Sequence, residues 1–298
     1  MRGLAYFLVG AFALCLGGAL CAQDADGGPE QAPIVVEGRR NPDQAINDLL
    51  NALPPAPANG HIERFEHMAC PAVLGLPPRQ RAAVTTRMRA VGAAGGLIMG
   101  AANCRPNVLV LVTSNKRQFI EQLARRFPSY FGELSSRQID RLAQSPGPTA
   151  LWHLNGMVDA DGREFDPPSN SVAVLRTTRA GSRLTDQAHR EFIASALVVE
   201  SGALDGLTTI QLADYAAMRT FTGADPARLP DRNLPTILTL LDTPMGSAAP
   251  VTLTDWDLAF LESLYASNAN IHAPGQRGEI QAGMRRELQG AADRSDHH

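Results

Sequence analysis

The sequence predicts an α+β fold: a mixed β-sheet flanked by helices, with a helical C-terminal layer. Three observations carry this. Asn107 to Thr113 is a continuous β-branched and leucine run, as in a strand buried on both faces. Three further β-prone segments follow between Thr149 and Glu200. From Thr208 to Leu288 the apolar residues recur at helical spacing.

The elements follow in order. Asp43 to Leu53 reads as a short helix, with Asn41 as cap and Pro42 at the first helical position. Pro54-Pro55-Ala56-Pro57 reads as a stiff linker. A strand is predicted over Ile62 to Val73, ended by Gly75 and Pro77-Pro78. A helix over Pro78 to Gly92 stops at Gly95-Gly96. After the Asn107–Thr113 strand come helices Lys116 to Phe127 and Ser135 to Gln144, the second capped by Ser136. Strands are predicted at Thr149 to Val158, Ser171 to Thr177 and Phe192 to Glu200, with a hairpin-type turn at Asp159-Ala160-Asp161-Gly162. Four helices close the chain: Thr208 to Phe221, Leu234 to Leu241, Thr254 to Ala266 and Gln276 to Leu288. The organisation expected is a signal peptide over 1–22, a flexible Pro/Gly-rich leader over 23–60, one globular domain over 61–290 and a polar tail over 291–298.

The net charge of -3 gives no electrostatic case for nucleic-acid binding. Lys116 is the one lysine, a pattern of codon bias rather than of function. Arg2, the apolar stretch Leu4 to Leu16 and the small residues around Ala19 to Ala22 form a secretory signal pattern. Cleavage after Cys21 or Ala22 leaves about 276 residues. An uncleaved anchor over Gly3 to Ala22 and lipid attachment at Cys15 or Cys21 are the alternatives. The mature chain is expected to lack a membrane span and to be periplasmic or secreted. Cys70 and Cys104 then remain as an even pair, read as a disulfide in an oxidising compartment.

Few motifs in the chain carry chemistry. Gly92-Ala93-Ala94-Gly95-Gly96 follows a helix and lacks a P-loop Lys-Ser/Thr. No G-x-S-x-G or Ser-x-x-Lys nucleophile is present. His61, His67, His153, His189 and His272 are scattered without metal-ligand spacing, and His297-His298 is too short a tract, so no metal ligand set and no cofactor are predicted. Asp255 and Asp257 flank Trp256 in a first helical turn, where Thr254 and Asp257 form a capping box. Thr208 and Gln211 form another. In the helix that follows, Ile210, Ala213, Ala217 and Phe221 share one face, and Asp214 falls inside the apolar arc beside Met218. A carboxylate there must be paired, hydrogen-bonded or protonated. Asp214, Ala213, Ala217 and Met218 are therefore the candidate pocket residues, and no catalytic residue is assigned.

Ala213-Asp214-Tyr215-Ala216-Ala217 lies where a zincin metalloprotease carries H-E-x-x-H, on a helix after a mixed sheet, so the order of elements resembles a zincin. Gln211 to Gly278 resembles the end of a family of putative proteobacterial lipoproteins of unknown function that looks zincin-like. The domain from His61 resembles uncharacterised exported proteins of the same bacteria. Residue by residue, the resemblance implies loss of the metal: both histidine positions are alanine, which has no donor atom. Ile34-Val35-Val36-Glu37-Gly38 resembles the short box near the N-terminus of TonB-dependent receptors and could add a strand to a partner's sheet. The expectation is an exported, non-catalytic binding or structural protein of the cell envelope, whose partner is an unidentified envelope protein or peptide. The alternatives are an envelope hydrolase of peptide or cell-wall material using Asp214 as acid/base, and an adaptor docking through Ile34 to Gly38.

Overall fold

The computed structural model describes residues 41–57, 59–163, 181–182, 185–231, 233–242 and 249–295. Helix α1 (Pro42–Leu50) starts at Asn41, whose side chain accepts from the Asp43 amide, and Pro42 occupies the first turn as predicted. Its apolar residues Ala45, Ile46, Leu49 and Leu50 are spaced to bury one face, and Ala52 and Leu53 follow them into the core. The leader expected to stay flexible to residue 60 is thus packed from residue 41, because its apolar residues fall at helical spacing.

Strand β1 (Pro71–Leu74), helix α2 (Pro78–Ala94) and strand β2 (Val108–Thr113) form a parallel β-α-β unit. Gly75 makes the exit from β1 feasible: its φ is +86°, and a Cβ there would lie 2.0 Å from the Val112 carbonyl oxygen. The predicted strand over 62–73 is shorter than expected. Residues 62–70 are held by irregular partners instead, such as the Arg64 guanidinium donating to the Ser267 carbonyl at 2.7 Å.

Helices α3 (Lys116–Arg126) and α4 (Ser136–Ala143) come next. The cap of α4 is Ser135, one residue before the serine expected, because Ser135 pairs reciprocally with Gln138. Strand β3 (Thr149–Asp159) ends where the turn signal predicted and pairs antiparallel with β4 (Ala188–Glu200). The sheet order is β1-β2-β4-β3, mixed as the sequence implied. The strand expected at Ser171 to Thr177 lies outside the described residues.

Both faces of β2 are covered, as its lack of a polar face required. Val108 and Val110 join the main core, while Leu109 and Leu111 pack on a second cluster with Ile120, Phe131 and Trp152. Helix α5 (Thr209–Thr222) lies in the main core, capped by the predicted Thr208–Gln211 box and ended by Gly223 at φ +70°. It is buried all round from Gln211 to Thr222 rather than on one face, and Ile210, expected inside, is exposed.

The helix expected over Leu234 to Leu241 is a single 3-10 turn, Ile237–Thr239. Pro235 and the extended Thr236 stop a longer helix, and Asp257 binds the Thr236 hydroxyl and the Ile237 amide in its place. Asp257 also completes the predicted capping box of α6 (Asp255–Ala266). Helix α7 (Ala273–Ser295) is longer at both ends than the expected 276–288 and takes in most of the supposed tail. Cys70 and Cys104 form the predicted disulfide. Among the described residues no helix is long and apolar enough to cross a membrane.

Candidate functional site

The predicted pocket residues lie in the core. Asp214, Ala213, Ala217 and Met218 are all fully buried. Both Asp214 oxygens are engaged. Oδ1 accepts from Arg87 Nε at 2.7 Å, and Oδ2 accepts from the Leu253 amide at 2.7 Å, the Thr252 hydroxyl at 2.8 Å and Arg87 Nη2 at 3.1 Å. This is the bidentate arginine–carboxylate fork, with two further donors. The neighbouring charge and hydrogen bond of Asp214 raise the pKa of Arg87. The helix does not fit a zinc ion in the zincin manner: Ala213 and Ala217 have no donor atom, and the acid between them is held by a cation. His67 and His153 bond elsewhere. His67 Nδ1 sits 2.8 Å from Glu191, and His153 Nε2 donates to the Thr220 carbonyl at 3.1 Å.

One turn further along α5, Arg219 has the opposite character. It is only 6% exposed, and it touches hydroxyls rather than carboxylates: Nη1 donates to Tyr215 Oη at 2.7 Å and to Thr149 Oγ1 at 3.3 Å. Its Nε is buried without a hydrogen-bond partner. No carboxylate pairs with it among the described residues. Arg219 lines a cavity of about 510 Å3.

Local sequence explains how that cavity is built. Pro54 and Pro55, read as a linker, bound one side; Gly223 lets them approach, since a Cβ there would lie 3.2 Å from Pro54. The loop Ser145–Pro148 bounds another side and is clamped by the one lysine. Lys116 Nζ donates to the carbonyls of Ser145 at 2.6 Å and Gly147 at 2.8 Å. Burial lowers the pKa of this lysine, opposed by Glu200. His153 also lines the cavity. Burial pushes its pKa down to about 4, helped by the charge of Arg219 and opposed by the bond to Thr220. Asp225, Arg228 and Asp242 stand nearer solvent around the same cavity.

A second constellation forms where no ligand set was expected. His61, His189 and His272, three of the scattered histidines, converge. The ring of His61 lies 5.4 Å from that of His189 and 5.6 Å from that of His272. Asp186 joins them, with Oδ2 at 3.9 Å from His61 Nδ1 and Oδ1 at 3.4 Å from His272 Nε2. Long-range contacts assemble the group. A bridge between Thr185 and Ile271 sets Asp186 beside His272. The Ala273 amide donates to the Gly60 carbonyl at 2.7 Å, and the Ile62 amide to Gln276 Oε1 at 2.6 Å, which seats His61 against the start of α7. β4 begins at Ala188 and carries His189 in. No local spacing signals this group, because its members lie on three separate stretches of chain. Arg219 had only one sequence hint, its position four residues after Tyr215.

Comparison of the chain with protein-family models, with curated proteins and with solved structures returned no match.

Proposed function

We propose that this chain is an exported binding protein without catalytic activity, and that its ligand, a small organic carboxylate, sits in the Arg219 cavity. The observation that carries the reading is the unpaired guanidinium. A buried charge costs several kcal/mol unless it is paired, so a buried arginine ordinarily has an acid beside it, as Arg87 has Asp214. Arg219 has two hydroxyls and an unused Nε. Its planar fork matches a carboxylate. The hydroxyls of Tyr215 and Thr149 stand beside it to receive or donate the remaining bonds. A cavity of about 510 Å3 holds a molecule of small-metabolite size. The disulfide fits a compartment outside the cytoplasm and supports export.

The hydrolase reading needed Asp214 as acid/base, and that carboxylate is fully engaged with Arg87, Thr252 and Leu253. The adaptor segment Ile34 to Gly38 lies outside the described residues.

The reading is tested by calorimetric titration with a panel of small carboxylates and their uncharged amides. Carboxylates should bind and amides should not. Arg219→Gln should weaken binding about 10- to 100-fold, the effect of one charge-assisted hydrogen-bond pair. Its melting temperature should stay level or rise, because an unpaired buried charge is removed. Absence of any carboxylate binding, or equal affinity in the variant, would refute the assignment.

A further inference from the structure

We propose that His61, His272 and Asp186 bind one divalent transition-metal ion of the zinc, copper and nickel group. One donor atom from each of His61, Asp186 and His272 lies within 4.8 Å of the others. In a tetrahedral site with bonds near 2.0–2.1 Å the donors stand about 3.3 Å apart. Asp186 Oδ1 stands 3.4 Å from His272 Nε2, at that value, and the other oxygen, Oδ2, stands 3.9 Å from His61 Nδ1.

The second observation is independent of these distances. The side chains of His61 and His189 are 5% and 4% exposed. His61 Nε2, His272 Nε2 and both ring nitrogens of His189 are buried with no hydrogen-bond partner. Buried polar atoms in folded proteins nearly always have one. An ion takes one nitrogen from each ring, so it would satisfy His272 Nε2, which faces Asp186, together with one nitrogen of His61. His272 Nε2 even faces an Asp186 oxygen at 3.4 Å without bonding to it.

The surroundings suit a metal as well. Glu66 Oε1 stands 3.4 Å from Nε2 of His189, the imidazole that packs against His61. Imidazoles with a single carboxylate select borderline transition ions over calcium or magnesium, which take oxygen cages. Asp186 is 46% exposed and gives solvent access on one side, so the ion keeps an open position. The cluster lies by the first residues of β4, whereas Thr149 and Ala150 of the Arg219 cavity pair with Val199 and Val198 near its end. The two sites are therefore separate, and either can fail without the other.

The test uses the full chain carrying His297→Ala and His298→Ala, which removes chelation by the terminal pair. After chelator treatment it is titrated with zinc chloride by calorimetry. One equivalent should bind. Asp186→Asn, at a half-exposed position, and His272→Ala should each weaken zinc at least tenfold with an unchanged circular-dichroism spectrum. Arg219→Gln should leave zinc affinity as it was. With copper(II), the electron paramagnetic resonance spectrum should show nitrogen hyperfine lines from imidazoles, simplified in His272→Ala. No saturable binding once the terminal pair is removed would overturn the proposal. So would zinc affinity insensitive to both substitutions, or a copper spectrum without imidazole nitrogen.

Discussion

The Cys70–Cys104 bond gives a prediction whose size follows from the chain itself. The cysteines are 34 residues apart, and the bond closes a loop around β1, α2 and the turn before β2. Closing a loop of that length removes about 4 kcal/mol of unfolded-state entropy at room temperature. The native loop has other anchors. The Gly100 amide donates to the Ala69 carbonyl at 2.9 Å, and Arg89 donates to the carbonyls of Gly100 at 2.6 Å and Ala101 at 2.9 Å. The double variant Cys70→Ala/Cys104→Ala should therefore keep its fold at 25 °C and lose stability through the unfolded state. For a domain of this size, ~4 kcal/mol corresponds to a melting temperature lowered by roughly 8–16 °C. Scanning calorimetry of the oxidised protein, the reduced protein and the double variant measures it. The reduced protein should melt with the variant and differ from the oxidised form by about 2 Da in intact mass, the two thiol hydrogens. A drop under about 2 °C, or no mass change on reduction, would mean the loop is not covalently closed and the argument from loop entropy does not apply.

Two more predictions concern the core. Asp214→Asn leaves Arg87 facing a neutral amide. Because the Arg87 side chain is 37% exposed and regains some water, the expected loss is about 2–3 kcal/mol rather than the larger figure for a fully buried pair. Adding Arg87→Met should recover part of it. Urea unfolding of the four proteins in the cycle measures the coupling, and a single-variant loss below about 0.5 kcal/mol would show that the pair is not structural. His153 sets a pH dependence. Its folded pKa of about 4 lies below its unfolded value of 6.5, so the unfolded chain takes up the proton first. Its contribution is complete above pH 6.5 and is lost as the pH falls toward 4, by ~3 kcal/mol in all. His153→Phe should flatten the stability curve in that window, and identical slopes in the two proteins would contradict the assignment.

The parts of the fold legible in the sequence were those decided by short-range chemistry. The β-branched run of β2, the capping boxes at Thr208 and Thr254, and the glycine stop after α2 depend on neighbours within a few residues. The failures share a cause. The supposed helix over Leu234 to Leu241 has suitable apolar spacing, but Asp257, some 20 residues later, takes its first amide and fixes a turn. The segment Ile62 to Ala69 is β-prone, yet its buried arginine is drawn to the end of α6. Tertiary partners outweighed local preference in both. The histidine cluster was illegible for the same reason. A ligand set on one helix leaves a spacing that can be read, whereas one assembled from the chain before β1, the start of β4 and the start of α7 leaves none.

Asp214 and Arg219 show how function can be separated from structure on a single element. Both are charged, both are buried, and both lie on α5, five residues apart. From sequence the acid looked more promising, because it sat where a metalloprotease helix carries its catalytic residue. Burial alone does not decide between them; the state of the partners does. Asp214 has four donors on its two oxygens, so nothing remains with which to bind or transfer a proton without breaking the core. Arg219 lies beside a cavity and, among the described residues, no carboxylate is paired with it, at a cost in stability that Tyr215 and Thr149 only partly offset. A fold tolerates such a cost where a ligand removes it on binding. His61 and His272, each with an unpartnered buried ring nitrogen beside Asp186, call for a cation as Arg219 calls for an anion.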